Sequence, residues 1–135
     1  MTKIMIYADN NLSTRCVHES GAEIFTTAPK DNQGEGNKFS PTDLLATALG
    51  SCILTVMDIM ARKLGVDLSG SYMHVEKEAG GKVRRVSKVK VEFYSPNKFS
   101  EDVQKKLEEA GQHCPVHHSL HPDLVQEIQF HWGVS

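Results

Sequence analysis

Two cysteines stand where their neighbours could give a thiol work to do. Cys52 lies in ALGSCILTVM and Cys114 in HCPVHH. A cysteine attacks as the thiolate, so its surroundings decide whether it is reactive or merely packed. Pro115 suits the first position of a short helix running to about Leu120, which puts Cys114 at the N-cap or first turn. Backbone N–H groups there are expected to stabilise a thiolate and lower its pKa. Cys52 lies about three turns into a long apolar helix, too far for the helix dipole to ionise it. A cysteine in that setting is ordinarily a small packed hydrophobe unless a cation is brought to it. Cys16, beside Arg15 in a strand-like run, has no partner motif and reads as packing.

Four of the seven histidines, His113, His117, His118 and His121, gather around Cys114. Cys-x-x-His belongs to the vocabulary of zinc ligation, so a metal-binding role is the main competing chemistry. Against it, one cysteine with contiguous histidines lacks the two separated ligand pairs of a structural zinc site. The plainer role is for His117 or His118 to tune the neighbouring thiol or pass a proton to a leaving alcohol. Lys82, Arg84, Arg85 and Lys88 make a basic patch, but without base-stacking aromatics it reads as a solvated face. The sequence carries no phosphate-binding glycine loop and no Ser/His/Asp arrangement.

Fifteen basic and 17 acidic side chains leave a net charge of -2. No global positive field would draw the chain to nucleic acid or an anionic membrane, and neither is an expected partner. The first residues, MTKIMIYADNNLS, lack the apolar core of a secretory signal, so the cytosol is the expected compartment. The uncharged stretch Leu44–Met57 falls short of the roughly 20 residues a bilayer span needs and reads as a buried helix. An odd number of cysteines argues for reduced thiols over a disulfide framework.

The elements that must position these thiols follow from local signals. Residues 3–28 carry short apolar runs with His18-Glu19-Ser20-Gly21 as a turn, which predicts an antiparallel meander. Residues 30–38 are polar and glycine-bearing and read as an exposed loop. Ser40-Pro41-Thr42-Asp43 has the N-cap, proline and carboxylate of a helix start, and Arg62, Lys63 and Gly65 mark its end. That is about 24 residues, or roughly 36 Å. Apolar or small residues on every face of Leu44–Met57 predict a helix covered all round, hence an obligate dimer, with Gly50 at a close helix crossing. Residues 68–79 and 83–95 alternate as a hairpin with one register shift near Val86. Ser100 caps a helix bearing Val103, Leu107 and Ala110, Gly111 stops it, and a last strand lies in residues 124–132. The whole reads as one α+β domain over residues 1–135.

SPTDLLATALGSC, followed about sixty residues later by a helix and HCPV, resembles the OsmC/Ohr family of organic hydroperoxide reductases across essentially the whole chain. The resemblance implies an intertwined homodimer with antiparallel sheets around a long central helix, and no bound cofactor. It implies that Cys52 attacks the peroxide and becomes a sulfenic acid, that Cys114 resolves it as a disulfide, and that an external dithiol restores the pair. The reductant would be a lipoyl protein or a thioredoxin-like one. Apolar helix surface around Cys52 suits an alkyl chain, which favours organic hydroperoxides over hydrogen peroxide. The family activates its first cysteine with an arginine from the N-terminal strands held by a glutamate early in the helix. Arg15 is the arginine available here, a few residues from the family position. Thr42 occupies the glutamate position, with Asp43 beside it either substituting for the glutamate or capping the helix. This departure resembles the OsmC-like branch and admits a non-catalytic ligand-binding or stress-associated role on the same fold.

Overall fold

A computed structural model describes residues 1–134, which form an α+β architecture of two three-stranded sheets and three α-helices. The chain divides into two compact units, Met1–Leu45 and Ala46–Ser135.

The first unit carries the predicted meander: β1 (Ile4–Asp9), β2 (Ser13–His18) and β3 (Glu23–Thr27), paired antiparallel in the order β1-β2-β3. Gly21, at φ 96, supplies the left-handed backbone of the β2–β3 turn. The register places Ile6, Cys16 and Ile24 on one face and Tyr7, Arg15 and Phe25 on the other. Both faces leave apolar side chains in the open, with Ile6 65% and Met5 59% exposed. The following polar loop contains one short 3-10 turn, Lys30–Asn32.

The long helix α1 (Pro41–Leu64) has the predicted 24 residues. Its start is a reciprocal capping box: the Asp43 N–H donates to Ser40 Oγ at 3.1 Å, and the Ser40 N–H donates to Asp43 Oδ2 at 2.9 Å. Its end is a Schellman motif, with Gly65 at φ 71 and the Val66 N–H donating to Ala61 O at 3.0 Å. The expectation of cover on every face is not met within one chain. A single stripe, Ala46, Leu49, Gly50, Ile53, Met57 and Ala61, is buried. Ile59 on another face is 52% exposed.

In the second unit β4 (Tyr72–Gly80) and β5 (Arg85–Ser95) form the predicted hairpin. Its register slips between Glu78 and Ala79, opposite Val86–Lys88, which leaves Ser87 as the extra residue next to Val86. The last strand, β6 (Val125–Trp132), pairs parallel to β5, unlike the all-antiparallel expectation. The cause is the connection between them. Helices α2 (Glu101–Gly111) and α3 (Pro115–Ser119) form a crossover that returns the chain in its original direction.

The core joins Leu49, Ile53 and Met57 of α1 to Val89, Val91 and Phe93 of β5 and Leu107 of α2, all fully buried. Phe93 meets Trp132 edge-on at 5.0 Å, and the Trp132 indole N–H donates to Glu108 Oε2 at 3.0 Å, tying β6 to α2. Two glycines serve different ends from those expected. A Cβ on Gly50 would stand 2.7 Å from Val75 Cγ2, so its close approach is to strand β4 and not to a helix. Gly111 ends α2 without a left-handed cap. Its missing side chain makes room for Ile53 and Met57, whose atoms would lie 3.1 Å from a Cβ.

Candidate active site

The stripe that buries α1 also turns Cys52 toward the core, one residue before Ile53. Cys52 is half-buried and packs against the core cluster, while Cys114 belongs to it and is 0% exposed. Cys52 packs against the cluster that contains Cys114, close enough for its side chain to act on the Cys114 thiol. About sixty residues of intervening chain are thus folded so that the two cysteines share one core.

Cys114 is the N-cap of α3, as expected, and Pro115 is its first residue. Its Sγ accepts the His117 N–H at 3.2 Å. The expected lowering of its pKa is reversed. Burial pushes the Cys114 thiol above its ordinary value, outweighing the His117 amide, and neighbouring Cys52 adds to the rise. A thiolate needs solvation or a charge partner, and the His117 and Val116 amides supply too little in an apolar core. Cys114 is therefore held as the neutral thiol at neutral pH. Its raised folded-state pKa contributes stability that is present below the unfolded-state value and lost as pH rises through the folded one. Alkylation followed by mass spectrometry across pH should show Cys114 reacting only above the ordinary range of a free thiol. Modification with a midpoint below that range would contradict the burial argument.

The imidazoles stack on each other beside this thiol. His113 and His118 lie 5.7 Å apart between ring centroids, and His117 meets His118 edge-on at 5.1 Å. Among the described residues no group of three or more His, Cys, Asp or Glu side chains is arranged to hold a metal ion. His117 is instead gripped by Gln126 of β6, through its ring Nδ1 and through its carbonyl, to which the Gln126 amide donates at 3.1 Å. His113, His117, Gln126, Gln112 and Ile128 border an open cleft of about 360 Å³.

The remaining predicted residues lie in the first unit. The Arg15 guanidinium pairs with Glu23 at 2.8 Å and sits 4.7 Å above the Tyr7 ring. Thr42 and Asp43 are gathered at the start of α1, where Thr42 Oγ1 lies 3.2 Å from Ser40 Oγ and Asp43 caps the helix. Cys16 is half-buried on the opposite face of the meander from Arg15, with its Sγ 3.7 Å from Thr14 Oγ1. Sequence reasoning missed Glu23 and Gln126. The strand register that sets Glu23 diagonally across from Arg15 could have suggested the first; no local signal points to the second.

The sequence matches the family model described as OsmC-like protein over residues 34–129. A solved structure from Psychrobacter arcticus, named for osmotic stress induction and detoxification response, is 40% identical, with 97% of this chain and 96% of that chain covered and a TM-score of 0.92. The OsmC organic hydroperoxide resistance protein of Legionella pneumophila shares the fold at 15% identity, with 99% and 97% covered and a TM-score of 0.73. The organic hydroperoxide resistance protein OhrB of Bacillus subtilis does so at 11% identity, with 96% and 97% covered and a TM-score of 0.71. No curated protein matches the chain.

Proposed function

Because the chain belongs to the OsmC-like protein family, we propose that it is a cytosolic thiol peroxidase that reduces organic hydroperoxides through Cys52 and Cys114. The observation that carries this reading is that the two cysteines pack in one core cluster, one half-buried and one fully buried and neutral. Hydroperoxide resistance is what two of its fold relatives are named for.

The Cys52 thiolate attacks the O–O bond of ROOH. Its sulfur takes the terminal oxygen to give Cys52–SOH, and RO⁻ leaves to be protonated as the alcohol. The Cys114 thiol then attacks the sulfenic sulfur, and its proton departs with the hydroxyl as water, leaving the Cys52–Cys114 disulfide. A dithiol reduces that bond and is itself oxidised, so the chain needs no bound cofactor. Keeping Cys52 ionised needs a cation, a role that the family gives to an arginine of the N-terminal strands and for which Arg15 is the candidate by resemblance. Glu23 and Tyr7 hold its guanidinium in this chain, where the family uses the glutamate whose place Thr42 takes. Asp43 serves the helix start.

We place this chemistry in a single OsmC-like domain acting as a homodimer. The support is the apolar surface left open on both faces of the meander and along α1. By length and composition alone α1 could cross a bilayer. Its buried stripe and its place in the family favour a core helix shared with a second copy. A solution mass of one chain at micromolar concentration would remove the dimer from this proposal. A second reading, a non-catalytic ligand-binding or stress-associated protein, is favoured by the loss of the helix carboxylate at Thr42.

One experiment separates the two. Reduced protein is mixed with cumene hydroperoxide, tert-butyl hydroperoxide or hydrogen peroxide, quenched, and mapped for disulfides. The peroxidase reading expects a 52–114 disulfide that forms fastest with the organic peroxides and turns over with a dithiol. No disulfide with any peroxide leaves the binding reading. Faster consumption of hydrogen peroxide would overturn the organic preference.

A further inference from the structure

The two cysteines of this site are unequal toward solvent, and that inequality gives the reductive half of the cycle a direction. Resting on the peroxidase reading, we propose that the external dithiol opens the disulfide by attacking Cys52 Sγ, so that Cys114 is the departing sulfur, received by the His117 amide that Gln126 holds in place.

Thiol–disulfide exchange needs the attacking sulfur in line with the bond that breaks, on the far side of the sulfur attacked. Cys52, half-buried, is the one of the two that keeps exposed surface for such an approach, whereas Cys114 is 0% exposed and packed in the core. The first thiolate forms a bond to Cys52 and breaks the bond to Cys114, whose sulfur leaves with the electron pair. That sulfur already has a donor, the His117 N–H at 3.2 Å. The proton given up by the incoming thiol ends on Cys114, where burial favours the neutral form. A protonated Cys114 does not attack back. The second thiol of the reductant then has time to attack the reductant's own sulfur in the mixed disulfide, releasing the Cys52 thiolate and the oxidised reductant.

Gln126 is the positioning residue in this scheme, and its orientation is dictated by elementary hydrogen bonding. The His117 carbonyl can only accept, so the Gln126 atom facing it must be the amide nitrogen, at 3.1 Å. Gln126 Oε1 then faces His117 Nδ1, which must donate. The imidazole carries a proton on Nδ1, and a residue of α3 is clamped to β6 at both its ring and its main chain. The same residue's N–H is the one on Cys114 Sγ.

The test starts from disulfide made with diamide in a Cys16→Ser background, so that it does not depend on peroxidase activity. Brief exposure to 2-mercaptoethanol, acid quench and peptide mapping locate the mixed disulfide. The adduct is expected on Cys52 in at least about tenfold excess, with Cys114 free. An adduct mainly on Cys114 overturns the proposal. Gln126→Leu is expected to slow disulfide opening about fivefold, the rate equivalent of one ordinary hydrogen bond. It should also move Cys114 alkylation in the reduced protein to higher pH without moving that of Cys52. An unchanged rate and an unchanged Cys114 profile overturn the role of Gln126. Failure of diamide to make the 52–114 disulfide would sink the pairing itself, and with it the peroxidase reading. A disulfide that opens as described but never forms with hydroperoxides would overturn only that reading.

Discussion

Cys52→Ser is expected to abolish hydroperoxide consumption, and Cys114→Ser to allow a single turnover. A serine hydroxyl offers no thiolate and cannot carry the transferred oxygen as a sulfenic acid, so loss of Cys52 should lower turnover on the order of 10³-fold or more. Loss of Cys114 leaves the attacking sulfur in place. The first equivalent of peroxide is then consumed, and the sulfenic acid, with no resolving thiol, persists and advances to the sulfinic acid with excess peroxide. A sulfenic-acid probe and intact mass follow both stages. The assignment of roles rests on the contrast between the two sites. Cys114 is fully buried and its pKa is raised, the state of a thiol that waits for an oxidised partner. Cys52, half-buried, is the one of the two that keeps some exposure. Retention of full turnover by both variants would sink the mechanism. A burst from Cys52→Ser and none from Cys114→Ser would exchange the roles.

Features written in contiguous residues are legible from the sequence alone. Ser40, Pro41, Asp43 and Gly65 bound α1 because capping and left-handed termination involve neighbours within a few positions. The slip beside Val86 shows as broken alternation in one strand. Features that depend on what lies opposite are not legible in this way. Gly50 announces a close approach, but only the fold says that Val75 of β4 is the neighbour. The direction of β6 depends on the crossover through α2 and α3, and no residue of β6 records it.

The site divides in the same way. The resemblance carried by SPTDLLATALGSC and HCPV points to the pair of Cys52 and Cys114, and both belong to or pack against one core cluster. The N-cap of α3 taken alone gives the wrong sign for the Cys114 shift, since the apolar core that outweighs the cap is assembled from α1, α2 and β5. Glu23 reaches Arg15 through the register of β2 and β3, and Gln126 reaches His117 from a strand. The first follows once the hairpin register is known, whereas the second is set by tertiary placement and nothing in its sequence neighbourhood marks it.

Gly111→Val is expected both to destabilise the fold and to pull the two sulfurs apart. Gly111 is the last residue of α2, and its backbone is not in the left-handed region, so a side chain there meets no conformational barrier. The obstacle is space. A Cβ would lie 3.1 Å from Ile53 Cγ2, 3.1 Å from Met57 Cγ and 3.2 Å from Met57 Sδ. Alanine needs its neighbours to yield a few tenths of an ångström. It also gains about 1 kcal/mol of helix propensity over glycine, so Gly111→Ala should lie near neutral. Valine adds two further methyl groups against a closed core, an overpacking cost of about 1–3 kcal/mol, with a smaller propensity gain. The relief available is for the end of α2 to move away from α1. Ile53 follows Cys52 directly, and Cys114 comes three residues after Gly111, so that movement separates the sulfurs. A disulfide tolerates Cα separations only up to about 7 Å. Thermal melts should show Gly111→Val less stable than the parent, and its peroxide-driven disulfide should form at least about tenfold more slowly, while Gly111→Ala follows the parent in both. Parental disulfide formation by a folded Gly111→Val protein would mean that the α1–α2 contact does not set the distance between the thiols.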